Sequence, residues 1–327
     1  MRAAGFGLRQ RLRPEDMTDR VTAEEDLFRV WHLGIPEVAT DRWEISIEGL
    51  VARPRTVDLA DLRQLRQHRV TSVHECAGNP LRTTVPQRRV GAVQWGGALL
   101  ADVLDLAGPG PAARFVISSG CDHGTFAGAH HDRYEKDLPL TALDSSEVLV
   151  ATHINGRPMP VERGGPVRLV VPGYYGTNST KWLTRLALST DRSPSAFTTT
   201  FYMDPPTEQG GPRRPVWALA PNSVIVAPVD GQVHAGVRTE VWGWAWAAEP
   251  VTAVDISIDG GHTWDTATVE DRTQRSWQRF SHAWTPASVG EHILVSRAAT
   301  ARGAVQPDAP LRNRQFRRLI FVTLESA

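Results

Sequence analysis

Cysteine is scarce in this chain: Cys76 and Cys121 are the only two in 327 residues. Two thiols cannot build a disulfide framework, and a structural zinc site would have to draw on histidine and carboxylate ligands. Lysine is scarce too. Of 36 basic residues only Lys136 and Lys181 are lysines, so any role for a flexible ammonium falls on one of two positions. Net charge is absent, with 36 Lys+Arg against 36 Asp+Glu. The chain therefore lacks the positive field that nucleic-acid binding or polybasic membrane attachment requires, which leaves a small molecule or another protein as partner. No run approaches the roughly 18 apolar residues of a membrane span. The N-terminal MRAAGFGLRQRLRPEDMTDR has no apolar stretch that would serve as a signal-peptide core. The expected compartment is the cytoplasm, or the periplasm if a leader has been removed. Neither C-x-x-C-H nor G-x-G-x-x-G occurs, so no haem, flavin or NAD is indicated and electrons, if any, leave to an external acceptor.

At about 150 residues per domain, the length allows roughly two domains with a core each. From Trp43, WEISIEGLV alternates apolar and polar residues as a half-buried strand does, and residues 57–62 then start a short helix. Residues 70–76 form a further strand ending at Cys76 and a Gly-Asn-Pro turn. The segment 95–108, WGGALLADVLDLAG, sets Leu99, Leu100, Val103, Leu104 and Leu106 at helical spacing and stops at Gly108. Apolar runs of strand length follow at 114–118, 147–151 and 166–171. This irregular alternation predicts an α+β domain. DPPTEQGGPRRP, 204–215, is a Pro/Gly-rich linker. Beyond it, short strands at 223–227, 241–246, 254–259, 277–284 and 292–298, with a hairpin signal at Asp259-Gly260-Gly261, predict an all-β immunoglobulin-like sandwich. The expected plan is an extension over 1–24, a catalytic domain over 25–204, a linker over 205–215 and the sandwich over 216–327. The sandwich reads as a scaffold for packing or dimerisation with little chemistry of its own, its tryptophans (242, 244, 246, 264, 277, 284) serving core or interface.

Cys76 lies in HisGluCysAlaGlyAsnPro, 74–80, where a strand gives way to a loop, the place at which scaffolds present reactive groups. Three readings are open. It is a buried thiol acting as a small hydrophobe; or a thiolate ligand to a soft metal, with Gly78 admitting a bulky cofactor and Asn79 offering donors and an acceptor; or half of a Cys/His nucleophile pair. His74 suits the third poorly, because side chains two apart on a strand share a face but seldom touch. A second cluster, 161–183, places Arg163 and Arg168 around an apolar strand and then runs through a Gly/Ser/Thr/Asn loop to Lys181. Backbone N–H groups, hydroxyls and two kinds of cation converge there in the way phosphate binding needs. The Walker spacing is not met, since Thr180 stands where glycine is required. An ordinary surface loop is the competing reading. Asp122, His123, His130, His131 and Asp132 are metal-ligand types at a spacing that fits no zinc motif, and Cys121 reads as a buried thiol.

HisGluCysAlaGlyAsn, the 95–104 segment, the run from Asn155 to Gly173 and LysTrpLeu occur in the order, and with the motifs, of the sulfite oxidase family of molybdenum enzymes, which the chain resembles over roughly 25–325. AspGlyGlyHisThrTrp, 259–264, resembles a turn of that family's C-terminal dimerisation domain. The resemblance implies a mixed α/β molybdopterin-binding domain followed by the β-domain, a pyranopterin cofactor carrying molybdenum, and a homodimer. By position, Cys76 matches the thiolate that ligates the metal. Asp122 matches an aspartate that holds the pterin; Arg168, Ser179, Thr180 and Lys181 match residues that bind the pterin and its phosphate. Arg163 stands where many members have histidine. Phe28 and His32 match a further cofactor-binding stretch, and Tyr202 matches the active-site tyrosine.

Departures concern the substrate. Family arginines that attract an oxyanion align with Val30 and Leu81, with Arg29 and Arg82 beside them, and an expected tryptophan aligns with Arg88. A third arginine would come from the C-terminal domain, at Arg317 or Arg318. The implied function is transfer of an oxygen atom to or from a small substrate: oxidation of sulfite to sulfate with an external acceptor such as a cytochrome c, with Cys76, Tyr202, Arg29 and Arg82 at the reaction. Two alternatives stand beside it. One is a reductase of sulfoxide or N-oxide substrates on the same cofactor, to which the altered arginines point; the other is a scaffold without active metal.

Overall fold

The computed structural model describes residues 5–9, 12–80, 85, 87–145, 147–206, 210–309 and 312–325. No helix among them is long and apolar enough to cross a membrane. The chain divides into two compact units. One comprises Met1–Arg9, Arg29–Val70 and Gln94–Trp217; the other comprises Gln10–Phe28, Thr71–Val93 and Ala218–Ala327. These limits cut across the sequential plan, because two stretches from the N-terminal part of the chain, one of them containing Cys76, belong with the C-terminal residues.

In the first unit a five-stranded sheet runs in the order Glu135–Pro139, Phe115–Gly120, Leu183–Ser189, Glu44–Gly49, Arg55–Asp58. Its pairings are antiparallel except that of Leu183–Ser189 with Glu44–Gly49. The alternation read in the sequence is the reason: Ile45 and Ile47 are fully buried while Glu44, Ser46 and Glu48 face outward. Their face meets Val57, Leu62, Val116, Leu183, Leu186 and Leu188 in one core. Helix Leu59–Gln64 starts where Asp58 accepts hydrogen bonds from the backbone N–H of Ala60 and Asp61, an N-cap worth about 1 kcal/mol.

The helix expected over 95–108 is shorter. Residues 95–99 finish strand Val90–Leu99, paired with Leu149–Ile154, and the helix is Leu100–Asp105. Gly96 and Gly97 carry the difference. Glycine costs a helix interior close to 1 kcal/mol, and here a Cβ on Gly97 would lie 2.2 Å from the Val150 carbonyl oxygen. Only glycine lets the ladder close at that point, so strand pairing overrides the local apolar spacing.

The second unit contains two four-stranded antiparallel sheets. One has the order Asn222–Ala227, Thr239–Trp246, Gln278–Trp284, Thr268–Val269; the other has Asp265–Thr266, Val251–Ser257, Gly290–Thr300, Arg317–Val322. Ile225, Val241, Phe280, Val254, Ile256, Leu294 and Ile320 from both sheets form a single core, which makes this a β-sandwich. Its tryptophans also fasten the two earlier stretches. The indoles of Trp244 and Trp277 stack at 5.1 Å and donate to the carbonyls of Met17 and Arg20, and Val73 N–H donates to the Arg275 carbonyl at 3.0 Å. On strand Arg317–Val322, Ile320 and Val322 point into the core while Leu319 and Phe321 stand 47% and 42% exposed. Ile293, 40% exposed, is the cross-strand partner of Leu319. The outer face of this edge is therefore an apolar stripe.

Candidate functional site

Within the second unit, strand Gln67–Glu75 delivers Cys76 to a tight turn. Cys76 N–H donates to the Arg89 carbonyl, Asn79 N–H donates back to the Cys76 carbonyl, both at 2.9 Å, and Gly78 N–H points at the sulfur at 3.4 Å. Arg89 closes the turn, its guanidinium donating to the Gly78 carbonyl at 2.8 Å and its N–H to Asn79 Oδ1 at 2.8 Å. A Cβ on Gly78 would sit 3.2 Å from that guanidinium, so the glycine admits the cation. Burial raises the thiol pKa, against the Gly78 N–H and Arg89, which favour the thiolate. Two donors aimed at the sulfur suit a thiolate held by a soft cation, the second of the three readings. Phe28, buried, lies flat on the His74 ring at 5.3 Å.

Beside this turn is a cavity of about 460 Å³ bounded, among the described residues, by Ala77, Gly78, Asn79, Pro80, Val85, Arg89 and Arg312. Two of these are guanidiniums and none is a carboxylate. Arg312 Nε donates to the Ala77 carbonyl at 3.1 Å. The sequence pointed to Arg317 and Arg318 instead. Arg317 is bound to Asp308 and Arg318 to Glu15 and the Val226 carbonyl, which leaves Arg312 as the C-terminal arginine at the turn. Leu81 and Arg82 lie outside the described residues.

The first unit gathers most of the other expected residues. His32 Nε2 and the Tyr202 hydroxyl are 2.5 Å apart. His32 stacks on Tyr134 at 5.3 Å and meets Phe126 and Phe197 edge-on. Burial, then Lys181 and Lys136, push the imidazole down to about 3, so it is neutral and holds the phenol by a hydrogen bond without adding charge. Asp122, Arg163 and Arg168 are each at least 96% buried, with exposures of 4%, 2% and 2%. Lys181 Nζ donates to the Val30 carbonyl at 2.7 Å, and its pKa is driven far below normal by burial and by Arg168, Arg163 and Arg29. Arg29, on strand Arg29–Trp31, thus belongs to the same electrostatic cluster. Gly164, at φ +99°, makes room: a Cβ there would lie 2.7 Å from Lys181 Cβ and Cγ. The hydroxyls of Ser179 and Thr180 are engaged internally, Ser179 Oγ accepting from Val171 N–H and Thr180 pairing with Ser118 at 2.7 Å. Lys136 and Tyr134, which sequence reasoning passed over, complete the surroundings of Tyr202 and His32. Lys136 Nζ is 5.3 Å from the Tyr202 ring centre and donates to the Phe197 carbonyl.

Arg168, Arg163, Asp122 and Arg29 all act on Lys181, so basic groups predominate around it. A basic cluster of this kind suits an anionic group, and phosphate is one that Arg and Lys match well. Asp122 supplies the complementary fit. Its Oδ1 is buried without a hydrogen-bond partner among the described residues, and burial raises its pKa to about 7; a heterocycle bearing N–H donors would satisfy it. The first unit thus holds a basic cluster suited to phosphate and an acceptor suited to a nitrogen heterocycle, and the second unit holds a strand-end thiol. The class of the chain, an oxidoreductase that binds molybdopterin, is given by its sequence matches. Residues 32–197 match the family model "Oxidoreductase molybdopterin binding domain" and residues 213–315 match "Mo-co oxidoreductase dimerisation domain".

The chain belongs to the sulfite oxidase family of molybdenum oxidoreductases, and the molybdenum–pyranopterin cofactor is the group its residues take. It is 32% identical to sulfite oxidase of Gallus gallus over 90% of this chain and 70% of that one. It is 31% identical to the mitochondrial sulfite oxidase of Rattus norvegicus, of which it spans 60%. Among solved structures, the sulfane dehydrogenase SoxCD from Paracoccus pantotrophus superposes with a TM-score of 0.81 at 25% identity, covering 96% of this chain and 86% of that one.

Proposed function

We propose that this chain oxidises sulfite to sulfate and passes the electrons to an external acceptor of the cytochrome c kind. The observation that carries the reading is the cavity beside Cys76, with Arg89 and Arg312 on its wall and no carboxylate among its described lining residues. A small dianion needs charge-assisted donors to offset its lost hydration, and two guanidiniums supply them where the aligned positions 30 and 81 hold valine and leucine. When bound, the molybdenum cofactor would supply oxygen-atom transfer and two-electron redox chemistry. Cys76 is its protein ligand in this reading, Asp122 with Arg163, Arg168 and Lys181 holds the pterin and its phosphate, His32 lies in the same unit as these, and Phe28, on the His74 ring, belongs with the cysteine's strand. Tyr202 presents a hydroxyl whose orientation the neutral His32 fixes. Arg29 acts on Lys181 in the basic cluster.

The test is protein purified from a host that makes the cofactor, analysed for metal and assayed with sulfite plus an artificial acceptor and with sulfoxides plus a reduced dye. Near-stoichiometric molybdenum with sulfite turnover is expected, and Arg312→Gln should raise KM for sulfite about tenfold or more, the worth of one hydrogen bond to a charged group. Loaded enzyme that is inert to sulfite but reduces sulfoxides would replace this reading with the reductase one.

A second copy of the chain is the proposed occupant of the apolar stripe of Ile293, Leu319 and Phe321, which adjoins the residues matching the dimerisation domain. Phe321→Lys places a charge on that stripe without touching the core. Sedimentation should then report a monomer where the parent protein gives a dimer, and an unchanged dimer would move the interface elsewhere.

A further inference from the structure

Glu75, the residue before Cys76, is completely buried. Side chains alternate along a strand, so it points away from the cysteine, into the second unit. There it meets three donors. Trp246 Nε1 reaches Oε2 at 2.8 Å, while Asn222 Nδ2 and Asn79 Nδ2 reach Oε1 at 2.8 and 3.0 Å. Trp246 and Asn222 lie on sandwich strands, and Asn79 is the residue whose N–H donates to the Cys76 carbonyl. The network continues behind Asn222: its Oδ1 accepts from Gln306 Nε2 at 3.0 Å, and Gln306 Oε1 accepts from Ser223 Oγ at 2.6 Å. Each amide is thereby fixed in orientation, with its nitrogen toward Glu75 or Asn222.

We infer that Glu75 is a positioning residue for the metal-binding thiol, and that the β-sandwich sets the thiol's orientation through it, by way of Trp246 and Asn222 on one side and Asn79 on the other. The inference rests on the reading of Cys76 as the molybdenum ligand.

Stability alone does not account for a carboxylate here. A buried carboxylate is costly, and an apolar side chain of similar volume in its place is often neutral or stabilising. What a carboxylate offers is two acceptor oxygens that take three N–H groups from three directions, tying two sandwich strands to the turn at a fixed angle. An amide would set its NH2 against one of those donors. Thiolate-to-metal geometry is sensitive to this support, since groups that orient a metal ligand influence the centre about as strongly as many ligands do. The sandwich is then more than the scaffold expected from its sequence.

The test uses Glu75→Gln and Trp246→Phe, the second keeping a ring in the core and removing only the N–H. In protein made without cofactor, alkylation of Cys76 by iodoacetamide is followed by peptide mass spectrometry, with Cys121 in the same digest as internal reference. A loosened turn should alkylate faster relative to Cys121, and in loaded protein metal affinity or turnover should fall about tenfold. In loaded protein the paramagnetic resonance spectrum of the one-electron-reduced centre should shift, and kcat should fall by about the same factor with KM for sulfite held. Folded variants with the parent alkylation ratio and the parent spectrum would overturn the inference. Cys76→Ser, assayed in parallel, separates the two ideas. Full turnover there removes the ligand reading itself, whereas loss there with unchanged Glu75 and Trp246 variants removes only the positioning role.

Discussion

Cys76→Ser should fold as the parent does and lose more than roughly a thousandfold of its turnover, because removing even a single transition-state donor from a catalytic site costs on the order of 10²–10³. The serine hydroxyl fits the space and can accept the Gly78 N–H that now points at the sulfur at 3.4 Å. Bonds of the turn from Asn79 N–H, the Arg89 guanidinium to Gly78 and Arg312 run to backbone carbonyls, while Arg89 also donates toward the side chain at 76, where a hydroxyl can accept. What changes is the ligand: a soft, polarisable thiolate becomes an alcohol that does not ionise in this pH range. Circular dichroism and a melting curve matching the parent, with sulfite turnover lost, are the expected pair of results. Full turnover in the serine variant would mean that another group holds the metal.

The second large effect concerns Asp122 in protein made without cofactor. Its folded pKa is raised from 3.8 to about 7, chiefly by burial. A raised acid favours folding below its unfolded value and loses that contribution as pH rises through the folded one, so the carboxylate weakens the fold progressively between about pH 4 and pH 7. The full rise corresponds to roughly 4 kcal/mol. Asp122→Asn removes the titration. The variant should be more stable than its parent at pH 8 by up to about that amount and nearly equal to it at pH 4, as urea unfolding at the two pH values would measure. His32 runs the other way, its pKa being lowered from 6.5 to about 3, so in both proteins it costs stability as pH falls below about 6.5. A difference between variant and parent that does not grow from pH 4 to pH 8 would remove Asp122 as the strained acid. The same variant, with one acceptor oxygen and an NH2 where the carboxylate has two acceptors, should load less molybdenum, even though its protein part is more stable.

Much of this was legible in the chain itself. Alternation marked the strand holding Ile45 and Ile47, because one buried face leaves a period of two, and short runs of strand length separated by turns marked the sandwich. The thiol at a strand end and the arginine–lysine cluster stood out as chemistry, and the order of several motifs carried the family. The rest depended on contacts that have no local signature. Glu75 looks like any strand carboxylate until Asn222, 147 residues later, and Trp246, 171 residues later, are brought to it. Arg312 is one arginine among many until its neighbours Arg317 and Arg318 are seen bound to acids of their own. Residues 95–99 have the apolar spacing of a helix, and only the backbone of Val150 against Gly97 reveals why they are extended.

The division of the chain into interleaved units bears on synthesis. Residues 71–93 group with residues 218–327, so a polypeptide interrupted between Cys76 and Ala218 contains the cysteine but lacks Trp246, Asn222 and Arg312, the groups that hold its turn. Such a fragment exhibits the thiol without its setting. The last third of the message must be translated before the turn around the cysteine has its partners.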